Sequence, residues 1–232
     1  ELLKNLQADT AAGNAPSIVQ VSWSNIEYFP ANFSYISPEE IVSNYFPEDE
    51  TFLTDTFSDS ILDLARNSEG VLAGVPYSVS NPVLFYNADL LREAGLSEDG
   101  PKSWDEFVSF AKTVKEKTGK YGAYLQEGDT WVLQAILESG GASMLTRDGD
   151  TATATFNSEE GKAAMQSYAD MVLTDESAVH LTNNDEGIQA FNDGEIAMYI
   201  GSIAKATNIM SSASFDVRST TFPAFEGQDR AV

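Results

Sequence analysis

The clearest alternation of apolar and polar positions lies between Pro82 and Gly119. Val83-Leu84-Phe85-Tyr86 is a short apolar run behind Pro82, which suits a buried strand whose first residue lacks a ladder donor. Asn87 stands where it caps a helix over 88–94, with Asp89 near the positive end and Gly95 placed to stop it in the left-handed conformation. Ser103 and Glu106 have capping-box spacing, and Trp104, Phe107, Val108, Ala111 and Val114 share one face of the helix that follows, up to Gly119. Downstream, 130–139 reads as a helix capped by Asp129 or Thr130 and ended by Gly140-Gly141. The segments 144–147 and 151–156 flank Asp148-Gly149, a strong hairpin signal. Ser158 caps a helix whose buried face carries Ala164, Met165, Tyr168, Ala169 and Val172. The pattern then gives a helix over 185–192, a strand over 196–200, a helix over 202–210 directly after Gly201, and a strand-like run over 216–222.

The first third is less regular. Leu2, Leu3 and Leu6 suggest an amphipathic helix, and Ala15-Pro16 leads into an expected strand over 17–23. Residues 24–56 are rich in aromatics, prolines and acids without helical or strand period, and read as a long surface excursion. Ile61, Leu62, Leu64 and Ala65 mark a helix, and 70–76 reads as a short strand-turn unit. The alternation of strands and helices predicts an α/β fold, and the chain shows no internal repeat or low-complexity segment.

Composition narrows the function. The 232 residues, 42% hydrophobic and 11% aromatic, suffice for a substantial core in one large or two small domains. Thirteen basic against 36 acidic residues give a formal net charge of -23, which repels phosphate backbones and anionic membrane surfaces, so nucleic acid is an unsuitable partner. The acids are scattered, as on a solvated surface. Zero cysteines exclude disulfides, thiolate metal sites and cysteine nucleophiles, and the single histidine, His180, excludes multi-histidine metal sites. No segment is apolar and long enough to span a bilayer, and no signal peptide precedes Glu1, which reads as a mature or truncated chain.

Several motifs, in order, carry a resemblance: PYSVSNPVLFYNADLLREAGL, SWDEF, GDTWVLQAILESGGASML, TFNSEEGKAAMQSYADM and AFNDGEIAMYIGS. Together they cover about two thirds of the chain and resemble the extracytoplasmic solute-binding proteins of ABC importers, in the branch that binds sugars, maltodextrins and glycerol-3-phosphate. The resemblance implies a two-lobed α/β periplasmic-binding-protein-like fold, incomplete at both ends. Residues 1–80 are then part of lobe one, 81–217 most of lobe two, and 218–232 the start of the return crossing. It further implies hinge closure on a ligand between lobes rather than chemistry, docking on a membrane permease, no cofactor, and a monomer. The location implied is extracytoplasmic, in the periplasm or lipid-anchored at the outer face of the cell membrane.

Residue by residue, Ser80 and Asn81 match the polar crossover position before the apolar strand, and Trp131 matches a second-lobe aromatic that packs on a sugar face. Gly201 and Ser202 match a turn offering backbone and hydroxyl donors, and Trp23 and Ser24 match a first-lobe loop. The ligand implied is a sugar or oligosaccharide, with glycerol-3-phosphate or a sugar phosphate as the alternative. Each residue also has a plain structural alternative. Trp131 fits a core aromatic, Ser80 a turn residue, Gly201-Ser202 a strand end with a helix cap, and Tyr77 and Tyr199 buried tyrosines with satisfied hydroxyls. Trp104 reads as core.

A carbohydrate-active hydrolase is the competing class. Its carboxylate pairs, such as Asp175/Glu176 or Asp185/Glu186, carry little information among 36 acids. Asp148-Gly149-Asp150 resembles a calcium loop but lacks the later ligands, and no glycine-rich phosphate loop is present.

Overall fold

Helix α1 (Leu2–Ala11) opens the computed structural model, which describes residues 2–128, 130–149 and 151–228. The chain divides into two units, Glu1–Val79 and Ser80–Val232. In the first, α1 buries Leu6, as its leucine spacing predicts. The strand expected over 17–23 does not form: residues 14–22 have no regular structure, Ile18 is 90% exposed, and Trp23–Asn25 is a 3-10 turn. A strand needs a ladder partner, and among the described residues the first unit has no strand, only the bridge Arg66↔Leu72. That bridge, with Arg66 Nη1 donating to the Gly70 carbonyl at 2.8 Å, stands where a strand-turn unit is expected over 70–76.

The expected excursion over 24–56 is instead a series of short helices: α2 (Tyr28–Asn32), α3 (Pro38–Tyr45) and α4 (Phe52–Thr56), followed by α5 (Asp59–Asp63). Five-residue helices are too short to display a period, and tertiary contacts hold them. Phe29 stacks on Phe33 and meets Tyr35 edge-on, and Leu53, Leu62, Ala65 and Leu72 form a small core. Helix α3 has a full capping box. The Ser37 amide donates to Glu40 Oε2 at 2.9 Å, and Ser37 Oγ accepts from the Glu40 amide at 3.2 Å.

The second unit is built on a four-stranded sheet. Strands β1 (Pro82–Asn87), β2 (Tyr121–Leu125), β5 (Ile196–Ser202) and β6 (Val217–Thr221) lie in the order β2-β5-β1-β6, while β3 (Leu145–Asp148) and β4 (Thr151–Ala154) form the separate hairpin at Asp148-Gly149. Strand β1 is antiparallel to both β5 and β6, and β2 is parallel to β5, so the ends of β2, β5 and β6 and the start of β1 share one edge.

Local chemistry sets the helices. Asn87 Oδ1 accepts from the Leu90 amide to cap α6 (Ala88–Glu93), and Gly95 follows at φ 78°. Ser103 caps α7 (Trp104–Thr118), which Gly119 ends in the left-handed region. The capping box expected there is half formed: Ser103 Oγ accepts from the Glu106 amide, but Glu106 Oε2 accepts from Lys102, one residue upstream. Helices α8 (Thr130–Ser139), α9 (Glu159–Leu173, capped by Ser158), α10 (Asn184–Asn192) and α11 (Ala206–Ser212) complete the unit; Ser202 caps a 3-10 turn, Ile203–Lys205, ahead of α11. Asp129, an expected cap, and Asp150, of the calcium-like triplet, lie outside the described residues.

Side-chain alternation divides the core across the sheet. Leu84, Tyr86, Leu125, Met198 and Ile200 join α6, α7, α8 and α9 on one face, where Met171 rather than Val172 is fully buried. Phe85, Tyr124 and Tyr199 join α10 and α11 on the other. Trp104 is fully buried, as expected, and its Nε1 donates to Ser167 Oγ at 2.8 Å.

Candidate functional site

The edge where β2, β5 and β6 end and β1 begins gathers polar side chains, the place where open α/β sheets bind ligands. Ser80 precedes β1 and Ser202 ends β5; the register Pro82↔Ser202 sets them side by side, with their hydroxyls 2.5 Å apart. The Ile203 amide donates to the Asn81 carbonyl at 3.0 Å, joining the same two segments. Gln126 follows β2, and its Oε1 accepts from Tyr199 Oη at 2.6 Å and from the Ser202 amide at 3.4 Å. Tyr199 is fixed by stacking between Phe85 and Tyr124, with centroids 5.9 and 5.7 Å away. Gly201 is required there, because a Cβ would lie 2.1 Å from Tyr199 Oη and 2.7 Å from Gln126 Oε1.

Four residues singled out from sequence, Ser80, Asn81, Gly201 and Ser202, are therefore brought together. Trp131 stands in the first turn of α8, which follows β2 at the same edge, and is half-buried against the core. Trp23 and Ser24 belong to the first unit; Trp23 is 64% exposed and Ser24 Oγ pairs with Ser22 Oγ at 3.0 Å. The amides expected to be free after Gly201-Ser202 are engaged inside the protein: Ile203 with Asn81, and Ala204 with Ser202 Oγ at 3.1 Å. The Ser80 and Ser202 hydroxyls, not those amides, are the groups this turn offers. Tyr199 is buried with its hydroxyl bonded, and Tyr77 is exposed.

Gln126 and Glu127 also stand at this edge and escape the sequence reading, their one local signal being a polar pair directly after an apolar strand. His180, which sequence reads as a surface histidine, is brought to the same edge and is exposed. Glu127 Oε1 accepts from Tyr168 Oη of α9, and its Oε2 meets Nδ1 of His180. Burial pushes the Glu127 carboxyl above the usual carboxylate range, and the hydrogen bond and charge of His180 pull part of the way back. Backbone pairing delivers His180 to this edge: the bridge Ala123↔Ala178 and the bond from the Val179 amide to the Ala123 carbonyl at 3.0 Å lay residues 177–179 along β2.

Among the described residues there is no cluster of histidine, cysteine or carboxylate groups arranged to hold a metal, and no helix long and apolar enough to cross a membrane.

The second unit is an α/β unit with helices on both faces of its sheet and hydroxyl and amide groups along the strand-end edge. The chain belongs to the bacterial extracellular solute-binding protein family, whose profile matches residues 1–231. That description agrees with the extracytoplasmic location and the family expected from sequence. The sn-glycerol-3-phosphate-binding periplasmic protein UgpB of Escherichia coli K12 is 29% identical over 227 residues, covering 92% of this chain and 50% of that protein. A lactose-binding protein of Rhizobium radiobacter is 30% identical over 159 residues, 66% of this chain and 37% of that one.

Among solved structures, the cyclic alpha-maltosyl-1,6-maltose binding protein of Arthrobacter globiformis superposes with a TM-score of 0.79 at 24% identity, covering 99% of this chain and 56% of that one. UgpB of Mycobacterium tuberculosis, in complex with glycerophosphocholine, does so at 0.79 and 20%, covering 98% and 57%. The mixed helix-and-strand fold is thus shared with these binding proteins, and the chain spans about half the length of these relatives.

Proposed function

We propose that the chain belongs to the substrate-binding subunit of an ABC importer and captures a neutral sugar or oligosaccharide at the strand-end edge of its second unit. The observation that carries this reading is the meeting of Ser80, Gln126 and Ser202, from three separate strand ends, with Trp131 heading the next helix. Hydroxyls both donate and accept, as sugar hydroxyls do, and an indole face suits the C–H face of a pyranose. Relatives that bind lactose and cyclic maltosyl-maltose support the same ligand class.

The second reading, glycerol-3-phosphate, is favoured by the relative that covers 92% of the chain. Against it stand the half-buried carboxylate Glu127 at this edge and the formal charge of -23, both unfavourable to a phosphate. On the favoured reading the chain binds without converting its ligand, hands it to a membrane permease, acts as a monomer, and keeps the lobe assignment drawn from sequence. Trp23 and Ser24 are the first unit's candidates for ligand contact.

The test is native mass spectrometry of the chain with mono- and oligosaccharides and glycerol-3-phosphate. Retention of an intact neutral sugar is expected. Retention of glycerol-3-phosphate alone moves the assignment to the second reading, cleaved products move it to a hydrolase, and no retention contradicts it. Replacing Trp131 by alanine is expected to weaken sugar binding more than about tenfold with the circular dichroism spectrum unchanged. Unchanged affinity removes Trp131 from the site.

A further inference from the structure

We propose that Lys205 is a specificity-determining residue of the strand-end edge, its ammonium donating to an oxygen of the bound ligand, a role that rests on the reading of that edge as a ligand site. Strand β5 ends at Ser202, whose hydroxyl accepts from the Ala204 amide and so starts the 3-10 turn Ile203–Lys205. Such a helix repeats about every three residues, which brings position 205 back to the side of Ser202. The bond from the Ile203 amide to the Asn81 carbonyl and the contact of the Ser202 and Ser80 hydroxyls pin this turn to the start of β1. Lys205 thus stands beside the two hydroxyls that line the edge.

What sets Lys205 apart is that no counter-charge meets it. With 36 acidic against 13 basic residues, a lysine of this chain has carboxylates on every side to choose from. Lys115, Lys120 and Lys205 are the partly buried lysines among the described residues. Lys120 Nζ donates to the Gly194 carbonyl at 2.6 Å and meets Glu195 at 3.2 Å, and Lys115 Nζ lies 4.1 Å from the centre of the Tyr121 ring. The Lys205 ammonium makes no ion pair or hydrogen bond among the described residues. The carboxylate of this edge, Glu127, is answered by Tyr168 and His180 instead.

An ammonium has three donors and no acceptor, and partial burial removes some of its water, so an oxygen of the ligand is the partner it lacks. Ser80 and Ser202 each donate or accept, whereas Lys205 only donates. The edge therefore favours a ligand that presents oxygen acceptors at this end and disfavours one that carries an amine there. A sugar hydroxyl and a phosphate oxygen both supply the acceptor. Ionic strength separates them, because salt screens the attraction of an ammonium for a phosphate and leaves a bond to a neutral hydroxyl largely unchanged.

The test measures binding of maltotriose and of glycerol-3-phosphate to the whole chain by isothermal titration calorimetry, at low and at high sodium chloride, for the unaltered protein, Lys205→Met and Lys205→Arg. Lys205→Met keeps the apolar stem and removes the charge. It is expected to bind maltotriose about tenfold more weakly at either salt concentration, with an unchanged thermal midpoint, while Lys205→Arg keeps most of the affinity. A loss seen with glycerol-3-phosphate alone, and shrinking at high salt, keeps Lys205 as the contact and names phosphate as the source of the oxygen. Equal affinities of the unaltered protein and Lys205→Met for whichever probe binds overturn the proposal and leave the proposed function standing. A loss accompanied in both variants by a lowered thermal midpoint reports a structural role and overturns it too. No binding of either probe, nor of any sugar in the native mass spectrometry panel, refutes the proposed function and takes the Lys205 assignment with it.

Discussion

The two units have similar proportions of apolar residues and use them differently. In the second, a four-stranded sheet carries helices on both faces, and side chains such as Leu84, Phe107, Val132 and Ile200 lose all contact with water. In the first, the described residues form no sheet, and the buried residues that cluster are the small group Leu53, Leu62, Ala65 and Leu72, with Leu6 and Phe29 buried outside it. Ile18, Trp23, Tyr45, Phe46 and Phe52 are left exposed there, although nothing in their composition distinguishes them from the buried set. A hydrophobic residue is buried only where an element offers it a partner surface, so the sheet decides which apolar residues become core.

Core truncation breaks this comparison most strongly. Replacing Phe107 by alanine, in the second unit, is expected to cost about 3–5 kcal/mol, whereas Leu62→Ala in the small cluster is expected to cost about 2 kcal/mol, both read by urea unfolding. Equal losses would mean that the first unit is as tightly packed as the second. Gly201→Ala comes next, at about 1–3 kcal/mol, because its methyl group must displace Tyr199 Oη from Gln126. It is also expected to weaken sugar retention, since the same shift moves Ser202.

Helix caps give the smallest effects and compare the units most evenly. Asn87→Ala and Ser37→Ala each remove a buried cap and are each expected to cost about 1 kcal/mol by thermal unfolding. The Ser37 box carries a pH signature as well. The Ser37 amide and hydroxyl hold the Glu40 carboxyl below its usual range, so its contribution is present above the ordinary carboxylate pKa and lost as pH falls through the lowered one. Glu40→Gln is expected to flatten that part of the acid-unfolding curve.

What could be read from sequence follows the same division. The segment from Pro82 to Gly119 was legible because its signals are local: an apolar run, Asn87 and Ser103 as caps, Gly95 and Gly119 as stops. The strand expected over 17–23 has the right residues, but a strand is defined by a neighbour, which no local pattern supplies. Ser37 and Glu40 had capping spacing inside an aromatic-rich stretch whose helices are too short to show a period. At this edge the Gly201-Ser202 turn stands out by local pattern, and Ser80 through the family resemblance. The bonds from Glu127 to Tyr168 and His180, and from Gln126 to Ser202, span 41, 53 and 76 residues and exist only once the sheet has formed.

The most direct test is hydrogen exchange followed by mass spectrometry, with and without the sugar retained in the native spectrum. The account predicts slower exchange throughout the second unit's sheet than in the first unit, and added protection on binding at 80–83, 126–131 and 199–203. Protection that falls elsewhere, or none at those three segments, would contradict the assignment of this edge as the ligand site.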